Sequence, residues 1–185
     1  MTAAPSAGLQ ELLDREAIRD CIYRCCRGVD RVDEDALRSA YWPDAVCRHS
    51  GHQGSGAEFV DWVLPHLKAG GRTHHLIGNI LIELRGDAAA VESYFRTIVG
   101  SRDAAGAPQE TLLAGRYVDR FERRSGDWRI AARTVVYDWI RQAVLPHEMD
   151  ASAFGQRLPV GARKPEDPLY RLHVQAPLAS AGQHA

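Results

Sequence analysis

The chain has 185 residues, of which 45% are hydrophobic and 25% are charged. These values are ordinary for a globular protein and exclude a disordered or collagen-like chain. The 23 Lys and Arg residues nearly balance the 24 Asp and Glu residues, for a net charge of −1. Such a balance provides no long-range attraction for nucleic acid or anionic lipid, so we expect neither as a partner.

The N-terminal residues contain no basic segment followed by an apolar one, so we predict no signal peptide. No apolar run approaches the roughly 18 residues of a transmembrane helix. The four cysteines form no C-x-x-C pair, and their spacing does not suggest a disulfide framework. We therefore expect a cytoplasmic protein with free thiols.

The first third of the chain has mainly helical periodicity. Apolar residues recur on one helical face in three segments, residues 9–29, 33–41 and 57–67. Pro43 should stop the second helix, and Pro65 should distort the last turn of the third. Residues 45–49 are predicted to form a short strand, and the glycines of segment 51–56 predict a loop.

The periodicity then changes to the alternation that is typical of strands. Four long strands are predicted, over residues 72–84, 88–99, 110–124 and 128–141. Short turns at 85–87 and 125–126 and a longer loop at 101–109 favour antiparallel hairpins over βαβ units. The predicted fold class is therefore α+β, with one curved antiparallel sheet wrapped around the helices.

Three regions are predicted along the chain: a flexible N-terminus over 1–8, a single domain over 9–142 and an extended C-terminal tail over 143–185. The tail is rich in proline and small residues and has weak periodicity. Within it, residues 165–170 could dock as an extended segment.

His74 and His75 begin the first long strand, where adjacent side chains point to opposite faces. Only one of them can face a concave interior, and alternation does not decide which. The simplest interpretation is one surface histidine and one hydrogen-bonded core histidine. A zinc site that combines His49, His52 and one of this pair is an alternative. No H-E-x-x-H motif occurs, and we predict no metal.

Asp30 lies at the end of the first predicted helix, where the negative end of the helix dipole destabilises a carboxylate. It therefore needs a compensating partner. That partner is either a neighbouring arginine, Arg27 or Arg31, or the N–H of a histidine.

Arg133 lies in the last long strand, and strand alternation assigns its face. The residues that share this face are Arg129, Arg133, Tyr137 and Trp139. The face is either exposed to solvent or part of a concave pocket that holds the aromatic rings together with a cation.

Several motifs together resemble the SnoaL-like branch of the nuclear transport factor 2-like superfamily, over about residues 9 to 142. In chain order they are segment 13–20, Gly28-Val29-Asp30, and segments 41–45, 73–79, 115–124 and 128–130. The resemblance implies a cone of curved antiparallel sheet around a pocket that N-terminal helices close. This agrees with the element order predicted above.

Within this superfamily, the pattern is similar to that of the lindane dehydrochlorinase, scytalone dehydratase and bile-acid 7α-dehydratase group. The resemblance implies a catalytic Asp30 after the first helix and a catalytic His75 early in the first long strand. It selects His75 over His74 because an asparagine, Asn79, follows four residues later. It also implies a functional arginine at Arg133.

Other positions depart from that group or extend the site. Cys25 stands where the dehydrochlorinase has a lysine and the bile-acid enzyme a tyrosine, which argues against a lindane-like substrate. His49 resembles a tyrosine that assists scytalone dehydratase. The residues predicted to bind substrate are His49, Tyr94, Trp42, Asn79 and Tyr137.

We predict a lyase that needs no cofactor and uses His-Asp general base catalysis on a small hydrophobic, ring-bearing substrate. It would eliminate water, halide or a one-carbon aldehyde. An isomerase or polyketide cyclase is one alternative. The other is a non-catalytic ligand-binding protein, or one similar to a dioxygenase β-subunit. The resemblance further implies a homodimer or homotrimer.

Overall fold

The computed structural model describes residues 6–144 and 159–172. The helices of these residues are α1 (Ala7–Arg31), α2 (Glu34–Ala40), α3 (Gly56–Ala69) and a 3-10 helix (Pro168–Arg171). The strands are β1 (Tyr41–His49), β2 (His52–Ser55), β3 (Thr73–Arg85), β4 (Ala88–Arg102), β5 (Pro108–Arg124) and β6 (Asp127–Val144). This order confirms the predicted α+β class.

The strands form one six-stranded sheet in the order β2-β1-β6-β5-β4-β3. Strands β3 to β6 are the predicted antiparallel meander, and β1 adds to β6 in parallel. The three α-helices pack against the sheet and cover one of its faces. None of the helices in residues 6–144 and 159–172 is long and apolar enough to cross a bilayer.

Two local predictions differ from the structure. The segment predicted as a glycine loop contains β2, which pairs with β1 through His49 and His52. Glycine does not favour a strand by itself, and pairing with β1 stabilises the extended conformation of this segment. Helix α3 continues past Pro65 to Ala69, beyond its predicted end at residue 67. Its N-terminus is stabilised by a capping box between Ser55 and Glu58.

The main core lies between the helices and the sheet. Ile18 and Ile22 of α1, Leu37 of α2 and Phe121 and Ile130 of the sheet are all fully buried. Burying side chains of this size contributes roughly 1.5–3 kcal/mol each. The core therefore fixes α1 over the sheet, with its C-terminal end near the start of β3.

Gly28 allows α1 to pack closely against α2. A Cβ at this position would lie 2.7 Å from the backbone nitrogen of Leu37. Only glycine fits such an approach, because a larger side chain would push the two helices apart. This contact sets the turn that follows Asp30.

Part of the predicted tail packs against the domain. Residues 159–172 lie against the end of α1 and the α3–β3 linker, and they contain a turn and the 3-10 helix. The expectation that 165–170 would be extended is therefore wrong, because Asp167 caps the 3-10 helix by accepting from the Leu169 N–H. Most of the predicted flexible N-terminus, 1–8, and much of the tail, 143–185, lie outside the described residues. The predicted domain limits stay predictions.

Candidate active site

The helices and the concave face of the sheet enclose a cavity of about 1210 Å³. This is somewhat larger than the roughly 300–1,000 Å³ of typical small-molecule sites. Its lining is mostly apolar and aromatic and includes Phe59, Trp62, Phe95, Leu113 and Tyr117. Such a lining suits a hydrophobic ligand that is oriented by a few polar groups.

The structure brings Asp30 and His75 together at the wall of this pocket. Nδ1 of His75 lies 2.7 Å from Oδ1 of Asp30. The backbone N–H of His75 donates to Oδ2 of Asp30 over 2.9 Å, and the hydroxyl of Thr73 donates to Oδ1 over 2.8 Å. The carboxylate is therefore held at both oxygens, and the orientation of the imidazole follows from it.

His75 rather than its neighbour faces the pocket. Its side chain is 10% exposed and lines the cavity, while His74 is exposed on the other side of β3. Because Nδ1 faces the carboxylate, Nδ1 carries the proton and Nε2 is the nitrogen that is left for a ligand. Such an imidazole is suited to accept a proton.

The environment of Asp30 keeps it ionised. Burial alone raises the pKa of this carboxyl, but the hydrogen bonds and charge of His75 and the hydrogen bond of Thr73 outweigh it. The net pKa of Asp30 lies below its usual value. The partner that the helix terminus requires is thus a histidine N–H, whereas Arg31 turns to the C-terminal segment.

Arg133 also lines the pocket, and its guanidinium is almost fully occupied by internal partners. Nε and Nη2 donate to the two oxygens of Asp119 over 2.8 and 2.7 Å. Nη1 donates to the hydroxyl of Tyr41 over 3.2 Å and to Sγ of Cys25 over 3.4 Å. The guanidinium carbon lies 4.0 Å from the ring centroid of Tyr117. Its charge is therefore fixed at the pocket wall.

A β-bulge explains how Arg133 reaches this position. Arg120 pairs with Ala132 and Phe121 pairs with Ile130, so Ala131 is an extra residue in β6. The bulge places Ile130 and Arg133 on the same buried face. The predicted grouping of Arg129 with Arg133 is therefore wrong. A second register shift, between Tyr137 and Trp139, separates those two residues in the same way.

His49 and Tyr137 line the pocket. The His49 ring stacks on Phe59 with centroids 3.9 Å apart. Burial, and then Arg133 and His52, lower the pKa of His49 to about 3, so its imidazole is neutral near pH 7. Burial raises the pKa of Tyr137, whose phenol is neutral as well.

Three predicted substrate-binding residues lie away from the pocket, and their placement is corrected. Tyr94 stands between buried Ser93 and Phe95 in β4, so it points to the outer face of the sheet. Asn79 lies at the register shift of β3 and is exposed. The indole of Trp42 donates to the Glu122 carbonyl over 3.1 Å, outside the cavity lining.

Further pocket residues were not among the predicted site residues. Tyr41 and Tyr117 flank Arg133, and Cys25 and Cys26 face the cavity from α1. The thiols of all four cysteines are free, as expected. The sequence placed Tyr41 at the end of the second predicted helix and in a family motif, but not in the site. Its contact with Arg133 joins residues that are 92 positions apart, and no local sequence pattern predicts such a contact.

Among residues 6–144 and 159–172, no three His, Cys, Asp or Glu side chains converge to hold an ion. His49 and His52 instead pack on the rings of Phe59 and Trp62.

Similar solved structures share this fold. The hexachlorocyclohexane dehydrochlorinase LinA of type 2 is 23% identical, with a TM-score of 0.71 over 79% of this chain and 99% of that chain. A provisionally assigned scytalone dehydratase of Novosphingobium aromaticivorans is 17% identical, with a TM-score of 0.64 over 73% and 91%. The β subunit of a provisionally assigned aromatic-ring-hydroxylating dioxygenase from that organism is 25% identical, with a TM-score of 0.52 over 71% and 93%.

These likenesses show the nuclear transport factor 2-like fold, and they span both lyases and a dioxygenase β subunit. No curated protein sequence matches the chain. The family model of the SnoaL-like domain matches residues 10–134, which is most of the chain. The chain therefore belongs to the SnoaL-like domain family.

Proposed function

We propose that the protein is a lyase that works without a cofactor and eliminates water, halide or a one-carbon aldehyde from a small hydrophobic, ring-bearing substrate. One observation carries this proposal. The His75–Asp30 hydrogen bond of 2.7 Å lies at the wall of a mostly apolar cavity. A histidine that is hydrogen-bonded to an ionised carboxylate at the wall of a ligand-sized cavity is a candidate for a functional site.

In the proposed reaction, Nε2 of His75 takes a proton from a carbon or hydroxyl of the substrate. Asp30 holds the Nδ1 proton and stabilises the imidazolium, as the aspartate of a catalytic triad does. In dehydration, the electron pair of the broken C–H bond forms a C=C bond, and the C–O pair leaves with the oxygen. The His75 imidazolium then returns its proton to that oxygen, which leaves as water.

Arg133 and His49 are proposed to support this step differently. Because its donors face Asp119, Tyr41 and Cys25, Arg133 acts through its charge, which favours negative charge that develops in the pocket. Neutral His49 is a hydrogen-bonding group and not an acid near pH 7.

The test is a substrate panel with a matched histidine control. The full-length protein is incubated with cyclic β-hydroxyketones, hydroxymethyl ring ketones and halogenated rings, and products are measured by mass and by absorbance of a new double bond. We expect loss of water, formaldehyde or hydrogen halide. His75→Gln should lower kcat by about 10²–10⁴-fold, while exposed His74→Gln on the same strand retains activity.

The same panel distinguishes the other functions. A product of unchanged mass would replace the lyase with an isomerase or cyclase. Tight binding without any product, together with co-purification of an iron-bearing subunit, would favour the dioxygenase-related alternative. Full activity of His75→Gln would contradict the proposed base.

A further inference from the structure

The C-terminal segment 159–172, here called the clasp, lies beyond the 10–134 match to the SnoaL-like domain. Among the clasp residues that contact the domain, Arg163 and Lys164, here called the anchors, are adjacent in sequence. Each holds a different part of the domain. The two parts carry the two members of the dyad.

The first anchor holds the segment that directly follows Asp30. The backbone N–H of Lys164 donates to the Arg31 carbonyl over 2.8 Å. Its Nζ lies 2.9 Å from Oδ1 of Asp33, whose side chain is only 8% exposed. Tyr170 donates its hydroxyl to the other oxygen of Asp33 over 2.9 Å. Because Asp33 is the N-cap of α2, this anchor fixes the α1–α2 turn.

The second anchor holds the linker that precedes His75. The Arg163 guanidinium donates to the carbonyls of Lys68 over 2.9 Å and Gly70 over 2.6 Å. Gly70 and Gly71 line the pocket, and β3 begins at Thr73. Arg163 therefore fixes the backbone that leads into the His75 side of the dyad.

Asp30 and Thr73 are the points where these two segments meet. The hydrogen bond between them is 2.8 Å long. Along the sequence, 41 residues lie between Arg31, where α1 ends, and Thr73, where β3 begins. Displacement of either segment would lengthen the Asp30–His75 contact. A misplacement of about 1 Å can lower the rate about 100-fold. Contacts that hold both segments in place therefore affect the rate of the proposed reaction.

We propose that Arg163 and Lys164 are positioning residues that hold Asp30 against His75, a role that rests on the proposed function of the dyad. Neither residue lines the pocket, so they act through the backbone on either side of it. Loss of the clasp anchors is expected to reduce kcat with little change in KM.

The experiment compares Arg163→Met/Lys164→Met with the wild-type full chain. Lys164→Arg is the conservative control, because it keeps a cation beside Asp33. Glu166→Gln is the local control, since Glu166 is exposed in the same segment and takes part in none of these hydrogen bonds. We expect kcat to fall about 10-fold in the double variant, with KM within about twofold and both controls near wild type.

A second readout needs no substrate. NMR of ¹⁵N-labelled histidine reports the tautomer of His75 and its Nδ1–H signal. The wild type should show a single Nδ1–H tautomer, and the double variant a mixed tautomer or an exchange-broadened signal. An unchanged His75 spectrum in the folded double variant would overturn the positioning role, whatever happens to kcat.

The two proposals fail in distinguishable ways. If the dyad is not catalytic, Asp30→Asn leaves kcat unchanged, while the NMR comparison still decides whether the clasp orders His75. If both hold, the clasp substitutions have no further effect on kcat in an Asp30→Asn background, because they act through that carboxylate. If the losses in kcat are additive in that background, the clasp does not act through Asp30, and the proposal is overturned.

Discussion

Two acid–base pairs border the same pocket and differ in what they leave unpaired. Asp30 and His75 share one short hydrogen bond, and the second imidazole nitrogen is left for a ligand. Arg133 and Asp119 share two hydrogen bonds, with side chains 2% and 0% exposed. The first pair therefore leaves one imidazole nitrogen for a ligand, whereas in the second pair the guanidinium and the carboxylate face each other.

The difference follows from burial and from the number of partners. Burial alone lowers the pKa of Arg133, but the facing carboxylate of Asp119 outweighs it and keeps the guanidinium charged. Tyr41, Tyr117 and Cys25 surround the remaining donors. A residue identified as functional from its position in a family motif can therefore act as a structural charge and not as a proton donor.

The largest effect is expected from breaking the Arg133–Asp119 pair. Arg133→Met leaves a buried carboxylate without its cation, and we expect a loss of about 3–5 kcal/mol in the free energy of unfolding. Chemical denaturation measures it. The double variant Arg133→Met/Asp119→Leu should recover most of the loss, because no unpaired charge is left. A single variant within about 1 kcal/mol of wild type would contradict this description of the pair.

A smaller and purely catalytic effect is expected at the dyad. Asp30→Asn keeps the shape of the side chain but no longer stabilises an imidazolium, so kcat should fall about 100-fold, equivalent to about 2.7 kcal/mol. Steady-state kinetics on a substrate identified with the proposed panel measure it. If the free energy of unfolding of Asp30→Asn falls by more than the free energy equivalent of its loss in kcat, the two pairs do not differ in this way.

The last effect, a change of up to about 1.4 kcal/mol per pH unit, concerns the pH dependence of stability. His49 has a folded-state pKa of about 3, below its ordinary value of 6.5, so between these values the unfolded chain binds more protons. Stability conferred by neutral His49 is full above pH 6.5 and is lost as the pH falls towards 3. His49→Phe should reduce the slope of unfolding free energy against pH in this window by up to one proton.

His49→Gln is the matched variant for that measurement, because it is polar but does not titrate. Both variants should give the same shallower slope in denaturation series between pH 3.5 and 6.5, the window set by the two pKa values. Slopes parallel to wild type would show that His49 accepts a proton freely, as an exposed histidine does.

Much of the fold could be predicted from local patterns. Helical and strand periodicities located the three α-helices and the four long strands, because each element buries one face and alternation or a 3.6-residue period records it. Strand β2 escaped prediction since its residues are polar or glycine and pair only through β1. Homo-oligomerisation and the substrate stay predictions.

The candidate site was predictable in part. The end of α1 placed Asp30 where it needed a partner, and the family pattern chose His75 over His74. Tyr94 and Asn79 were misplaced because short motifs carry no information about which face of the sheet a residue occupies.

By itself, the sequence determined the order of the α-helices and long strands, the SnoaL-like resemblance and the two residues that form the dyad. Only the tertiary structure decided which face of β6 Arg133 occupies, its ion pair with Asp119 and the attachment of the clasp to both sides of the dyad. The physical reason is that periodicity is a local property. A β-bulge depends on the strand that pairs with the bulged one, and a hydrogen bond between distant parts of the chain depends on which elements the fold brings together.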